Sequence, residues 1–177
     1  MKKVFVSGGS GYIALHCIAA LIKKGFKVKT SIRSLERKKE VIDSISKVIN
    51  CNNKIEICEL DLLKDDGWDD ALKDCEYALH TASPVSLLLS NNPNDLIKPA
   101  VDGLERCLKS AVKNNVKRFV MTSSFSAIGA GSKRKELDDN HWTDLKNPNI
   151  SPYDISKTKA ELFLWKYISD LEESKKI

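Results

Sequence analysis

The sequence has little with which to brace itself covalently. Its five cysteines, Cys17, Cys51, Cys58, Cys75 and Cys107, are odd in number, widely spaced and never arranged as CxxC. Reduced thiols are expected, not a disulfide or metal framework. The three histidines, His16, His80 and His141, stand far apart and offer no metal-ligand spacing. No apolar run approaches the roughly 18 residues that crossing a bilayer requires. The chain opens directly on MKKVFVSGG, with no leader segment, so a cytoplasmic location is expected. Repeats and low-complexity tracts are also missing. The net charge is only +5 and the lysines are scattered, which excludes a dedicated nucleic-acid surface. What remains is a 177-residue chain, 42% hydrophobic, with enough apolar surface for one core.

Strand and helix patterns alternate along the chain, predicting a parallel sheet covered on both faces. Strands are expected at 3–6, 26–32, 55–60, 76–80 and 117–122. Helices are expected from Gly11 to a cap at Gly25, from a Ser34 cap through about Val48, around Trp68–Leu72, from Asn94 to Asn114, and from Tyr153 to about Leu171. Pro99 predicts a bend or a late start in the long helix. Residues 132–148 read as a polar loop, and the charged tail EESKKI is expected to fray. The whole chain reads as one Rossmann-type, doubly wound domain with strand order 3-2-1-4-5.

The most specific segment is Gly8-Gly9-Ser10-Gly11-Tyr12-Ile13-Ala14, between the first strand and first helix. Gly8 allows the tight turn. Gly11 removes a side chain where backbone must approach phosphate, and Ala14 keeps helix and sheet close. The free N–H groups at the helix start, those of Tyr12 and Ile13 among them, suit a dinucleotide pyrophosphate. Strand two ends in Arg33, where an NAD site usually places Asp or Glu. A guanidinium there suits a 2′-phosphate and so NADPH; the plainer reading is a solvated strand-end residue. Lys38 and Lys39 could add positive potential or simply face water. Asp61 and Leu62 follow strand three; Asp61 either meets the adenine amino group or caps the next turn. Thr81, Ala82 and Ser83 follow strand four and are small enough for backbone to lie against ribose and phosphate. His80 reads as a satisfied, partly buried residue.

Strand five leads into Ser123-Ser124, and Tyr153 and Lys157 stand four residues apart at the start of the last helix. They therefore share one face. A cation beside a phenol stabilises the phenolate, so Tyr153 can exchange a proton with a carbonyl oxygen while Ser124 hydrogen-bonds that oxygen. Ser123 is expected to pack or bond to backbone. Leu87–Leu89 and Phe125–Ile128 are candidates for an apolar substrate wall, or for core.

These residues carry a resemblance. The stretches VFVSGGSGYIALH, SIRS, ALHTASP, LIKPAVDGL, VKRFVMTSS and YDISKTKAE resemble the extended short-chain dehydrogenase/reductases, and within them the dihydroflavonol reductases, cinnamoyl-CoA reductases and fungal NADPH-dependent aldehyde/ketone reductases. The family glycine motif falls on Gly8, Gly11 and Ala14, the last a conservative departure. The resemblance implies that Arg33 reads NADPH and that Ser124, Tyr153 and Lys157 are catalytic, with Lys157 also bonding the nicotinamide ribose. HWTDL, with Trp142, is similar to the segment that often precedes the catalytic tyrosine.

The resemblance also implies a further strand and a smaller substrate-covering domain after residue 177. Without them strand five is expected to be an exposed edge open to self-association. Three functions follow as expectations. The first is NADPH-dependent reduction of a small carbonyl substrate. The second is an NAD(P)-dependent sugar-nucleotide epimerase or dehydratase, against which Arg33 argues. The third is an inactive nucleotide-binding remnant.

Overall fold

The computed structural model describes residues 1–84 and 92–177. Five parallel strands form one sheet in the order β3-β2-β1-β4-β5, as the alternating pattern predicts. They are β1 (Lys3–Ser7), β2 (Lys27–Ile32), β3 (Ile55–Glu59), β4 (Tyr77–His80) and β5 (Arg118–Met121). Among the described residues six α-helices accompany them: α1 (Tyr12–Lys23), α2 (Lys38–Ser46), α3 (Trp68–Leu72), α4 (Asn94–Lys113), α5 (Ser126–Gly129) and α6 (Pro152–Asp170).

β1 is the central strand, and its side chains alternate between two cores because successive residues of a strand face opposite ways. Val4 and Val6 join Ile18 and Ile22 of α1 and Val41 and Ile45 of α2. Phe5 faces the opposite side, with Trp68, Leu72 and Cys107. A third cluster, built on Leu104, Leu108 and Ala160, seals α4 against α6. That seam holds α6, and so Tyr153 and Lys157, against the end of the sheet.

The local expectations are met or refined at four places. Ser34 does cap a helix start, accepting from the Glu36 N–H at 3.3 Å, but the first turn is a 3-10 turn, Leu35–Arg37, ahead of α2. Helix α4 begins at Asn94 and runs through Pro99. α5 is absent from the sequence pattern: four residues carry too little periodicity to show there. The tail does not simply fray. It forms a 3-10 turn, Glu173–Lys175, and the partly buried Ile177 packs against the same two clusters as Phe119. Leu87–Leu89 lie outside the described residues.

Leu104 is fully buried in the α4–α6 seam. Truncating it should remove both its transfer energy and its packing. Leu104→Ala is expected to lower the unfolding free energy by about 2–5 kcal/mol in urea titration; a change below about 1 kcal/mol would contradict the seam described.

Candidate dinucleotide site and catalytic end

The glycine turn is shaped by close approaches. Gly8 has φ +73°, a conformation L side chains rarely adopt, and a Cβ there would lie 3.1 Å from the Ala82 Cα. The Gly11 N–H returns to the Gly8 carbonyl at 2.8 Å. A Cβ on Gly9 would run into Thr30 on β2. Helix α1 then starts with no side-chain cap and no acidic residue in its first turn, leaving its first N–H groups and the positive end of its dipole available to an anion.

One hydroxyl joins this turn to the β4 loop. Ser7 Oγ accepts from the N–H groups of Thr81 and Ala82, both at 3.0 Å, and stands 3.1 Å from His80 Nδ1. Both lone pairs are occupied, so its single proton goes to Nδ1, and His80 carries its own proton on Nε2. Thr81 Oγ1 donates back to the Ser7 carbonyl at 2.5 Å. His80 is buried and stacks on Phe119. Burial, reinforced by the nearby Lys157 cation, pushes its imidazole down to about 3.

Between these loops lies a cleft of about 610 Å³ at the carboxyl ends of the strands, where ligands bind in such sheets. Gly8, Gly11, Arg33, Asp61, Leu62, Thr81, Ala82 and Ser83 all line it. Asp61 Oδ1 accepts from the Leu63 N–H at 2.9 Å, so it does cap the following turn. Tyr12 and Ile13 do not line the cleft with their side chains. Tyr12 is 79% exposed and meets His16 edge-on. A larger depression of about 940 Å³ beside α3 and α4 is lined by charges that pair with one another, among them Arg106 with Asp65 and Lys109 with Glu105.

Sequence reasoning misses Arg37. The 3-10 turn carries it, not Lys38 or Lys39, back to the glycine turn, where Nη1 donates to Ser10 Oγ at 3.2 Å. It lines the cleft with Arg33 and its Nε and Nη2 pair with Glu40; Lys39 pairs with Asp43 on α2. The signal for it is Arg33-x-x-x-Arg37, two guanidinium groups four residues apart.

The second group of residues lies at the ends of β5 and α6. Thr122 N–H donates to the His80 carbonyl at 3.0 Å, holding the two strand ends level. Ser124 follows in the turn into α5, and its Oγ accepts from the Ser126 N–H at 3.1 Å. That leaves the hydroxyl proton free to donate. Ser123 differs: its hydroxyl donates to Glu161. Helix α6 starts with a full capping box, Ser151 and Asp154 bonding reciprocally, and with Pro152 in its first turn. α5 is fastened to it by Thr158, whose hydroxyl lies 3.2 Å from the Ser126 carbonyl, and to the HWTDL segment by Thr143, at 2.8 Å from the same carbonyl. Trp142 is partly exposed beside it. Phe125 is 65% exposed, whereas Ala127 is buried, so the expected wall divides between surface and core. Lys157 is buried, and its Nζ lies 5.8 Å from the centre of the Tyr153 ring. It has no hydrogen-bond or ion-pair partner among the described residues. Burial pushes its ammonium down from the usual lysine value.

Residues 5–168 match the 3-beta hydroxysteroid dehydrogenase/isomerase family. The chain is 31% identical to anthocyanidin reductase of Arabidopsis thaliana, covering 96% of this chain and 52% of that protein. It is 32% identical to vestitone reductase of Medicago sativa, covering 90% and 51%. Yeast methylglyoxal/isovaleraldehyde reductase Gre2, solved with NADPH, superposes with a TM-score of 0.85 at 30% identity, over 98% of this chain and 55% of that one. The chain thus spans about half the length of the relatives it matches.

The His80 shift sets a pH dependence. Its folded-state value lies below the ordinary 6.5, so its contribution to stability is full above about 6.5 and is lost as pH falls toward 3, where only the unfolded chain takes the proton. His80→Asn is expected to lower stability at pH 7 by about 1–3 kcal/mol. The gap to wild type should narrow as denaturation is repeated at lower pH. A gap that widens below pH 6 would contradict a buried neutral imidazole.

Proposed function

The chain belongs to the 3-beta hydroxysteroid dehydrogenase/isomerase family, and on that premise we propose that it forms the nucleotide-binding, proton-donating part of an NADPH-dependent reductase of aldehydes or ketones. The observation that carries the proposal is Lys157, a buried cation with no anionic partner among the described residues, set against the ring of Tyr153. An unpaired buried charge is costly, and such groups concentrate at functional sites.

The residues of the cleft fit a phosphorylated dinucleotide. The bare turn at Gly8 and Gly11 and the uncapped start of α1, with the N–H groups of Tyr12 and Ile13, would receive the pyrophosphate. Arg33 and Arg37 would hold a 2′-phosphate. Asp61 and Leu62 would flank the adenine, and Thr81, Ala82 and Ser83 the ribose and phosphates nearer the reacting end. NADPH, when bound, supplies the hydride. Tyr153 donates its phenolic proton to the carbonyl oxygen. Lys157 stabilises the phenolate left behind and would hydrogen-bond the ribose hydroxyls of the bound nucleotide. Ser124, with its acceptor side taken by the Ser126 N–H, directs its free proton to the same oxygen. Ser123 is unavailable for this, because its proton is held by Glu161.

Tyr153→Phe removes the proton and leaves the cleft intact. In the native polypeptide carrying these residues, turnover of an aldehyde/ketone panel should fall by at least about 100-fold, read as NADPH absorbance, with NADPH affinity within about twofold of wild type. Wild-type protein that leaves NADPH unchanged across the panel would overturn the proposal, as would a Tyr153→Phe variant that keeps full activity.

A further inference from the structure

Helix α6 presents Tyr153, Lys157, Glu161 and Trp165 at intervals of four residues, so each is the neighbour of the next along a row that winds slowly round the helix. Lysine followed four residues later by an acid forms ion pairs elsewhere in this protein: Lys39 with Asp43 at 2.6 Å, and Lys166 with Asp170 at 3.1 Å on α6 itself. Lys157 and Glu161 have the same spacing, yet no pair forms between them. The Glu161 carboxylate is engaged on both oxygens. Oε2 accepts the Ser123 hydroxyl, and Oε1 accepts from Trp165 Nε1 at 3.3 Å.

We infer that Glu161 is a positioning residue that ties the β5–α5 turn bearing Ser124 to the helix bearing Tyr153 and Lys157, and that its engagement by Ser123 and Trp165 keeps its charge off Lys157. The inference rests on the proposed reductase chemistry for its catalytic consequence, but not for the tie itself. Ser123 immediately precedes Ser124, so fixing one hydroxyl on α6 fixes the backbone from which the other projects. Placement matters steeply here, since a 1 Å error in a reacting group can cost about 100-fold in rate. Without the clamp, an acid one turn from Lys157 would neutralise the cation that Tyr153 requires.

The test compares wild type with Glu161→Ala, Glu161→Gln and Ser123→Ala. One readout needs no activity: hydrogen exchange of the 121–128 segment. Glu161→Ala and Ser123→Ala should speed exchange there while the 3–7 and 77–80 strands stay protected. Glu161→Gln, whose amide oxygen still accepts from Ser123, should restore protection. Unchanged exchange in both Ala variants overturns the tie. In the native polypeptide the Ala variants should lose about tenfold in kcat with KM for NADPH unchanged, and Glu161→Gln should recover most of it. Its pH–rate profile should match wild type; a shifted profile overturns the claim that the charge is kept from Lys157. A wild-type protein with no turnover strikes the reductase reading alone, because the exchange result still decides the tie. Should Glu161→Ala fail to fold, Ser123→Ala, which removes one hydroxyl, carries the same comparison.

Discussion

The Ser7 hydroxyl is the joint on which the candidate site depends. It sits at the end of the central strand and takes the N–H groups of two successive residues at the end of β4, while passing its proton to a buried imidazole. Both loops of the cleft are thereby held at one separation, so close that a side chain on Gly8 would crowd Ala82. Buried networks of this kind favour a single arrangement only when every member is satisfied. Here the Ser7 hydroxyl is engaged on both lone pairs and through its proton, and His80 is kept neutral by its burial. The same strand ends carry the second half of the site, because the His80 carbonyl receives Thr122 and sets the height at which β5 delivers Ser123 and Ser124.

Features encoded within a few residues are legible in the amino-acid sequence. The glycine turn, the Ser34 cap, the Tyr153/Lys157 spacing and the strand order all follow from local pattern or from short βα connections. Features that need strand register are not legible in this way. Ser7 and His80 lie 73 residues apart, and nothing in either neighbourhood marks the pair. Arg37 is inconspicuous because its direction depends on a 3-10 turn in place of a regular helix start. α5 is too short for periodicity, and the packing of Ile177 against clusters from α3, α4 and α6 joins residues far apart in the sequence. The sequence leaves Asp61 open between two roles; its bond to the Leu63 N–H establishes the capping one.

The chemistry divides between two clusters. The cleft collects the phosphate-facing features, and the β5–α6 corner collects the proton-handling ones; His80, beside Lys157, lies between them. Val120, Leu162 and Trp165 of β5 and α6 are exposed, Trp165 at 56%. The relatives that this chain matches are about twice as long as it is.

Arg33 and Arg37 are the residues proposed to turn a glycine-loop cleft into one selective for the phosphorylated dinucleotide. Calorimetric titration of the chain with NADPH and with NADH tests this directly. Charge-assisted bonds of about 1.5–3 kcal/mol to the 2′-phosphate predict roughly 10- to 100-fold tighter binding of NADPH. An Arg33→Ser, Arg37→Ser double variant should close most of that gap. Equal affinity for the two nucleotides, or binding of neither, would contradict it.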